Sequence, residues 1–205
     1  MDWLDVLHGR TIHARRVRVL AERVVPWLPL QARVLDVGAG DGSLAARIAA
    51  LRPDLRLHCV DVQVRPGTAL PVERFDGAKL PFHDGAFDAV LIVDVLHHTL
   101  DPLALLREVR RVTRSRIVLK DHALEGAFAG VTLRLMDWIG NARHGVPLPF
   151  NYWPRAVWAE AFEKLGLAMR EWNDHLAIYP WPAGLVFERS LQFLAVLEPG
   201  ARSDA

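Results

Sequence analysis

Specialised environments leave marks on a sequence, and few of them are present here. The 205 residues include one cysteine, Cys59, which excludes an internal disulfide and any cysteine-based zinc site. The thiol-poor composition suits a reducing compartment, and a cytoplasmic location is expected. Long apolar runs are missing too. The longest stretch without Asp, Glu, Lys or Arg is His175 to Phe187, 13 residues interrupted by Pro180 and Pro182. A membrane span needs about 20 apolar residues, so no integral membrane segment is expected. The start, Met1-Asp2-Trp3-Leu4-Asp5, carries acid where a signal peptide carries base. Charge of one sign is also lacking. Lys and Arg number 25 and Asp and Glu 24, for a net charge of +1, which gives no whole-molecule attraction to nucleic acid. No nucleic-acid partner is expected.

What is present is a foldable chain. The sequence is 51% hydrophobic and 24% charged, well away from a disordered composition and long enough for a sizeable core. Thr11 to Val25 has the spacing of an amphipathic helix, ended by Pro26 and Pro29. Arg33 to Val37 reads as a short strand, Ser43 to Leu51 as a helix and Leu55 to Val60 as a second strand. Phe87 to Val93 is a near-continuous apolar run, the pattern of a strand buried on both faces. Pro102 to Val112 reads as a helix with proline in its first turn, and Arg116 to Lys120 as a further strand. Arg155 to Leu165 is predicted helical. Ala168 to Ile178 and Leu185 to Leu197 read as extended runs close enough to pair antiparallel. Alternating strands and helices imply an α/β sandwich with a mostly parallel sheet and an antiparallel edge.

The most informative segment is Val34-Leu35-Asp36-Val37-Gly38-Ala39-Gly40-Asp41-Gly42. A strand runs into glycines and a helix follows, so the backbone can take positive φ and a ligand can approach closely. Asp61, at the end of the second strand, is placed to accept hydrogen bonds from ribose hydroxyls. The dinucleotide pattern Gly-x-Gly-x-x-Gly is not met, because Ser43 stands at its last position. Asp36 would repel a pyrophosphate and suits a cationic ligand with an amino group.

These residues resemble motif I of the class I S-adenosylmethionine-dependent methyltransferases. The similarity continues through Asp61, then Phe75-Asp76-Gly77-Ala78-Lys79-Leu80-Pro81-Phe82-His83-Asp84 and Phe87-Asp88, then Val93-Asp94-Val95-Leu96-His97-His98 and His98-Thr99-Leu100-Asp101-Pro102. It spans about Arg33 to Val112, in order, and is nearest the small-molecule and quinone-type members. The resemblance implies a Rossmann-like sandwich with a seven-stranded sheet and S-adenosylmethionine as cofactor. It implies cofactor contacts at Asp36, Gly38, Gly40, Asp61, Val62, Asp76, Gly77, Asp94 and His97. After the fifth strand many relatives carry Pro-Gly-Gly. This chain has Ile117-Val118-Leu119-Lys120-Asp121-His122, so its substrate floor should differ.

His98 and His122 fall at strand carboxyl edges and are the candidate general bases. No His-x-x-x-His or similar pair occurs, and no metal site is expected. Asp94 has a second reading as a helix N-cap. Arg10, Arg15, Arg16, Arg18 and Arg23 read as a solvated helix face, with a contact to cofactor, anionic substrate or membrane as the alternative. Asp121 to Tyr152 reads as a helix followed by a Gly- and Pro-containing loop, a lid over the site. Asp121, Trp138 and Tyr152 are its candidate substrate contacts. Five of the seven tryptophans lie from residue 138 onward, as apolar packing or as the lining of a pocket for an apolar or aromatic substrate.

The expected organisation is one methyltransferase domain over 1–205. It divides into an N-terminal helical lid (1–32), a cofactor-binding core (33–120), a substrate-lid insert (121–152) and a C-terminal helix with closing strands (153–205). The expected reaction is methyl transfer to a small-molecule acceptor. The alternatives are an RNA methyltransferase and a non-catalytic S-adenosylmethionine-binding protein.

Overall fold

Apolar strands and one-sided helices sort this chain into three layers. The structure, a computed structural model, describes residues 3–141, 149–188 and 190–200. In chain order the elements are α1 (Trp3–Val24), β1 (Arg33–Val37), α2 (Ser43–Leu51), β2 (Arg56–Asp61), β3 (Val72–Arg74), β4 (Phe87–Val93) and α3 (Pro102–Val112). They continue with β5 (Thr113–His122), α4 (Ala129–Asn141), α5 (Arg155–Lys164), β6 (Leu167–Asn173), α6 (Gly184–Phe187) and β7 (Gln192–Pro199). The strands form one seven-stranded sheet in the order β3-β2-β1-β4-β5-β7-β6. The neighbours from β3 to β5 are parallel, and β7 runs antiparallel to both β5 and β6.

Local chemistry explains most boundaries. Asp101 accepts from the Ala104 amide at 2.9 Å and Pro102 follows, which starts α3. Leu105, Leu106, Val109 and Val112 then bury one face. In β4 every residue but Asp88 is buried, so both faces of this central strand pack against helices. One core layer joins Val90, Ile92, Leu106, Val109, Trp158 and Phe193, and the other joins Leu20, Val24, Ile48, Leu91 and Val196. Each fully buried side chain of this size contributes about 1.5–3 kcal/mol.

Two sequence expectations need correction, and one strand was not anticipated. The extended run expected over Leu185 to Leu197 is split: residues 184–187 are helical and the strand starts at Gln192. The Glu188 carboxylate accepts from the amides of Ala177 and Tyr179, which folds 177–188 back on itself. For the same reason β6 ends at Asn173, while Leu176 and Ile178 are buried beyond it. β3, three residues with Glu73 and Arg74 exposed, carried no periodic signal. Residues 201–205 of the expected C-terminal segment lie outside those described, as does 142–148 of the expected lid loop. No described helix is long and apolar enough to cross a membrane.

Strand order reverses between β1 and β4. Their carboxyl ends therefore open a crevice where an α/β sheet takes its ligand.

Candidate active site

The loop after β1 is shaped by three left-handed glycines, Gly38 (φ 76°), Gly40 (φ 60°) and Gly42 (φ 73°). Two are required for different reasons. A Cβ on Gly38 would lie 2.3 Å from a Val95 methyl, so this turn and the one after β4 touch through it. A Cβ on Gly40 would meet nothing within 4 Å, which leaves its backbone open to a ligand. Asp61 ties the crevice together. Its Oδ2 accepts from the Gly40 amide at 2.8 Å and its Oδ1 from the Gln63 amide at 2.9 Å. Val62, Arg74, Phe75 and Asp76 line an open cavity of about 480 Å³ beside it. Asp76 is exposed, and its Oδ1 accepts from the amides of Ala78 and Lys79, both at 2.8 Å. Those amides hold its pKa below the usual carboxylate range. A Cβ on Gly77 would sit 3.0 Å from Val62, so these two are in contact across the cavity wall.

Asp36 is 2% exposed, and burial, with the charge of Asp61, pushes its pKa up to about 7. A cationic ligand would favour its ionised form. Cradle, carboxylates and cavity thus fit S-adenosylmethionine, which carries a sulfonium and an amino group and no phosphate.

The β4–β5 side is built from side chains. Asp94 adopts φ 55°. Its Oδ1 accepts from Lys120 Nζ at 2.5 Å and its Oδ2 from the Arg16 guanidinium. It caps no helix: the short 3₁₀ turn at Leu96–His98 has Val95 at its N-cap position. Burial opposes its charge, but Lys120 and Arg16 hold its pKa well below the ordinary value. Lys120 also donates to Gln192 Oε1 at 2.6 Å. Its own pKa is lowered, by burial first.

The sequence reading of the N-terminal arginines as a solvated face is corrected for two of them. Arg16 reaches Asp94, and Arg15 donates to the carbonyls of Ile178 and Ala177 at 2.9 and 3.1 Å. Arg18 and Arg23 are exposed. On the same helix His13 Nε2 lies 3.3 Å from Asp41 Oδ2, beside the glycine turn.

Next to Asp94 three imidazoles meet. His97 and His98 rings are 3.9 Å apart, and His97 and His122 rings 4.6 Å apart. His97 Nδ1 donates to Asp121 Oδ1 at 2.6 Å. Burial disfavours charge on His97, but Asp121 and Asp137 outweigh it and raise the pKa to about 10. His122, 5% exposed, is pushed down to about 3 by burial and by the cations His97 and Lys120. His98 is half-buried and is also lowered, by burial and then by His97. The three histidines were visible in the sequence, but their convergence was not.

Asp121, expected to touch substrate, is sealed. It accepts from the amides of Leu96 at 3.0 Å and His122 at 2.7 Å and from His97. It acts on the site only by positioning those groups. Tyr152 donates to Asp137 Oδ2 at 2.5 Å, linking the end of the expected lid segment to α4. Trp138 is 62% exposed on α4. Of the five late tryptophans, Trp158 is in the core, Trp153 packs against it and Trp172 stacks on Phe193, so these three serve packing. Lys120, Asp137 and Gln192 were not anticipated. No local pattern could have named them, because each reaches the site from a different element.

Residues 35–118 match the family described as "Methyltransferase domain". The chain is 30% identical over 161 residues to 27-O-demethylrifamycin SV methyltransferase of Amycolatopsis mediterranei, covering 63% of this chain and 58% of that protein. It spans about half the length of the curated relatives it matches. Its fold superposes on a chain of the Haloferax volcanii complex that contains the Trm112 methyltransferase activator. There the TM-score is 0.72 at 18% identity, over 97% of this chain and 96% of that one. It also superposes on a SAM dependent methyltransferase from Aquifex aeolicus, with a TM-score of 0.58 at 18% identity, over 88% and 89% of the two chains. At such identities the likeness concerns the fold.

Proposed function

We propose, from the match of residues 35–118 to the methyltransferase domain family, that the chain is of the class I S-adenosylmethionine-dependent type and moves a methyl group from S-adenosylmethionine to a small-molecule acceptor, releasing S-adenosylhomocysteine. The observation that carries this reading is the Asp61 carboxylate, pinned by the Gly40 and Gln63 amides next to Val62, which with Arg74, Phe75 and Asp76 lines the open cavity. In this assignment Asp61 receives the ribose hydroxyls, with Val62 and Gly77 forming the wall beside the base. Asp76 faces the base amino group. The Gly38 and Gly40 backbone lets the methionine portion approach, and Asp36 balances its positive charge. Asp94 and His97 border that end through the buried charge network.

The sulfonium supplies an already activated methyl. The remaining task is to align donor sulfur, methyl and acceptor and to exclude water. In this reading α1 and α4 serve as lids over the crevice of one domain. Trp138 and Tyr152 are the aromatic groups that meet the acceptor. An oxygen or carbon acceptor must also lose a proton. His98, the half-exposed histidine of the three, is placed to receive it, whereas His122 is buried behind Asp94 and Asp137. The near-neutral charge and the rifamycin-directed relative support a small molecule as acceptor.

Calorimetry with S-adenosylmethionine, followed by detection of S-adenosylhomocysteine across a metabolite panel, tests the proposal. Binding with turnover of a small molecule is the expected result. Absence of cofactor binding would overturn it. His98→Ala at saturating cofactor should lower kcat roughly 10²–10⁴-fold for an oxygen or carbon acceptor.

A further inference from the structure

The inner face of α4 is built as expected. Ala129 and Leu133 are buried with Leu191, and Asp137 faces the histidines. The outer face of a surface helix is ordinarily polar. Here Val131, Leu135 and Trp138 are exposed on it, within about 60° of the helix circumference. Phe128, just ahead of the helix, extends the stripe. It is 79% exposed and holds a left-handed φ of 61°, although its ring gains little from packing inside the protein. Trp181, 82% exposed, and Leu185 add to the face from α6 and the turn before it, and α6 lies beside α4. Single exposed apolar residues are ordinary, whereas six on two neighbouring elements mark an interaction surface.

The charges around this face are sorted by sign. Residues 125–138 and 177–188 contain three carboxylates and one cation. Each carboxylate is engaged within the protein: Glu125 accepts from the Arg155 amide at 2.7 Å, Asp137 from Tyr152, and Glu188 from the amides of Ala177 and Tyr179. The cation, Arg134, is exposed, with its guanidinium 5.6 Å from the centre of the Phe150 ring. A second copy suits this pattern poorly, because a two-fold contact through α4 sets Arg134 against a surface that has no carboxylate to offer it. Two open cavities, one lined by Val62 and Asp76 and the other by Trp27 and Arg116, take no residue from the face. Its side chains stand out as a ridge, where a bound peptide or helix needs a groove. The surface of a bilayer with anionic lipid matches both properties. Trp, Phe and Leu enter the boundary between headgroups and acyl chains, and Arg meets the phosphates.

We propose that α4 and α6 dock this face on an anionic lipid surface, and that the acceptor is a lipophilic molecule drawn from it. The first half stands on the surface alone, and the second rests on the methyl-transfer reading above. The link between them is Asp137. Turned away from the stripe, it holds Tyr152 and lies 3.5 Å from His97 Nε2. One helix therefore separates the lipid from the acceptor side of the site, and Trp138 borders both. The helix lies in the interface and does not span it, so no long apolar run is needed.

The test is flotation of the whole chain, without cofactor, with vesicles of phosphatidylcholine containing about 30% phosphatidylglycerol. The chain should float with these vesicles and bind phosphatidylcholine alone more weakly. Val131→Glu and Leu185→Glu should each weaken binding at least about tenfold, with far-UV circular dichroism unaltered. Arg134→Gln should weaken binding to the anionic vesicles roughly fivefold and leave binding to neutral ones unchanged. Leu30→Glu, at an exposed leucine before β1 and so at the opposite edge of the sheet, should change nothing. Failure of the unmodified chain to float overturns the docking, as does flotation that Val131→Glu and Leu185→Glu leave intact. A dimer in light scattering that Val131→Glu dissociates, without flotation, would give the face to a second copy and also overturn it. Once an acceptor turns over, supplying it in vesicles should make the parent at least about tenfold faster than Val131→Glu. Equal rates overturn the second half. Flotation without S-adenosylmethionine binding would leave the docking standing and remove the methyl-transfer reading, and cofactor binding without flotation would do the reverse.

Discussion

The two halves of the site are built by opposite means. Around β1, β2 and β3, backbone does the work: glycine amides meet carboxylates, and those carboxylates are held by amides two or three residues onward. Around β4, β5 and α4, side chain meets side chain, with Asp94, Asp121 and Asp137 facing Arg16, Lys120 and His97. A backbone-built cradle fails where a turn loses its glycine or its pinning acid. A side-chain-built cluster fails wherever one buried partner is removed, because the others are left charged and unpaired.

The largest effect should come from the second half. Asp94→Ala strands Lys120, 1% exposed, together with Arg16, and should cost about 3–5 kcal/mol of stability in denaturant melts. A loss below about 1 kcal/mol would mean the cluster is wetter and looser than drawn, and the contrast would collapse. In the first half, Asp61→Ala should cost about 1–3 kcal/mol of cofactor affinity by calorimetry, from loss of a charged acceptor. Its far-UV circular dichroism should be unaltered, and unchanged affinity would remove Asp61 from the site. Gly38→Ala should destabilise by about 1–2 kcal/mol through its left-handed backbone alone. It should cost more through its approach to Val95, and Val95→Ala in the same chain should recover only that second part.

The smallest effect sharpens the boundary between the halves. Asp36 has its pKa raised to about 7 by burial and the charge of Asp61. A cationic ligand binds its ionised form, so affinity should fall as pH drops below about 7, by at most tenfold per unit, about 1.4 kcal/mol. Asp36→Asn should flatten that slope. Stability moves the other way. A raised carboxyl pKa contributes fully below the unfolded value near 3.8, and that contribution is lost as pH rises through about 7. Asp36→Asn should therefore gain stability over the parent at pH 8 and not at pH 3.5, as read from thermal melts.

The same contrast explains what the sequence disclosed. β1, its glycine turn and α2 are contiguous, and the pinning acids Asp61 and Asp76 follow within one βαβ passage, so spacing alone exposes them. α3 was legible from Asp101-Pro102 and its apolar spacing. The histidine cluster assembles from residues near 97, 122 and 137, and the adjoining Asp94 and Lys120 are met by Arg16 and Gln192 from opposite ends of the chain. Such partners have no common period, so each histidine looked like a lone loop residue. β3 stayed hidden because three residues, two of them exposed, carry no alternation. The split before β7 stayed hidden because Glu188 folds that segment through backbone amides, which no side-chain pattern records.

The antiparallel strand β7 carries a consequence for how the protein is made. Chain leaving a ribosome can form the glycine turn once β2 has emerged, yet β5 keeps an open edge until Gln192–Pro199 arrive to pair with it. Until then Lys120 also lacks its Gln192 acceptor. The acceptor side is thus completed last, and a nascent chain stalled before residue 192 would present an aggregation-prone strand beside an already formed cofactor cradle.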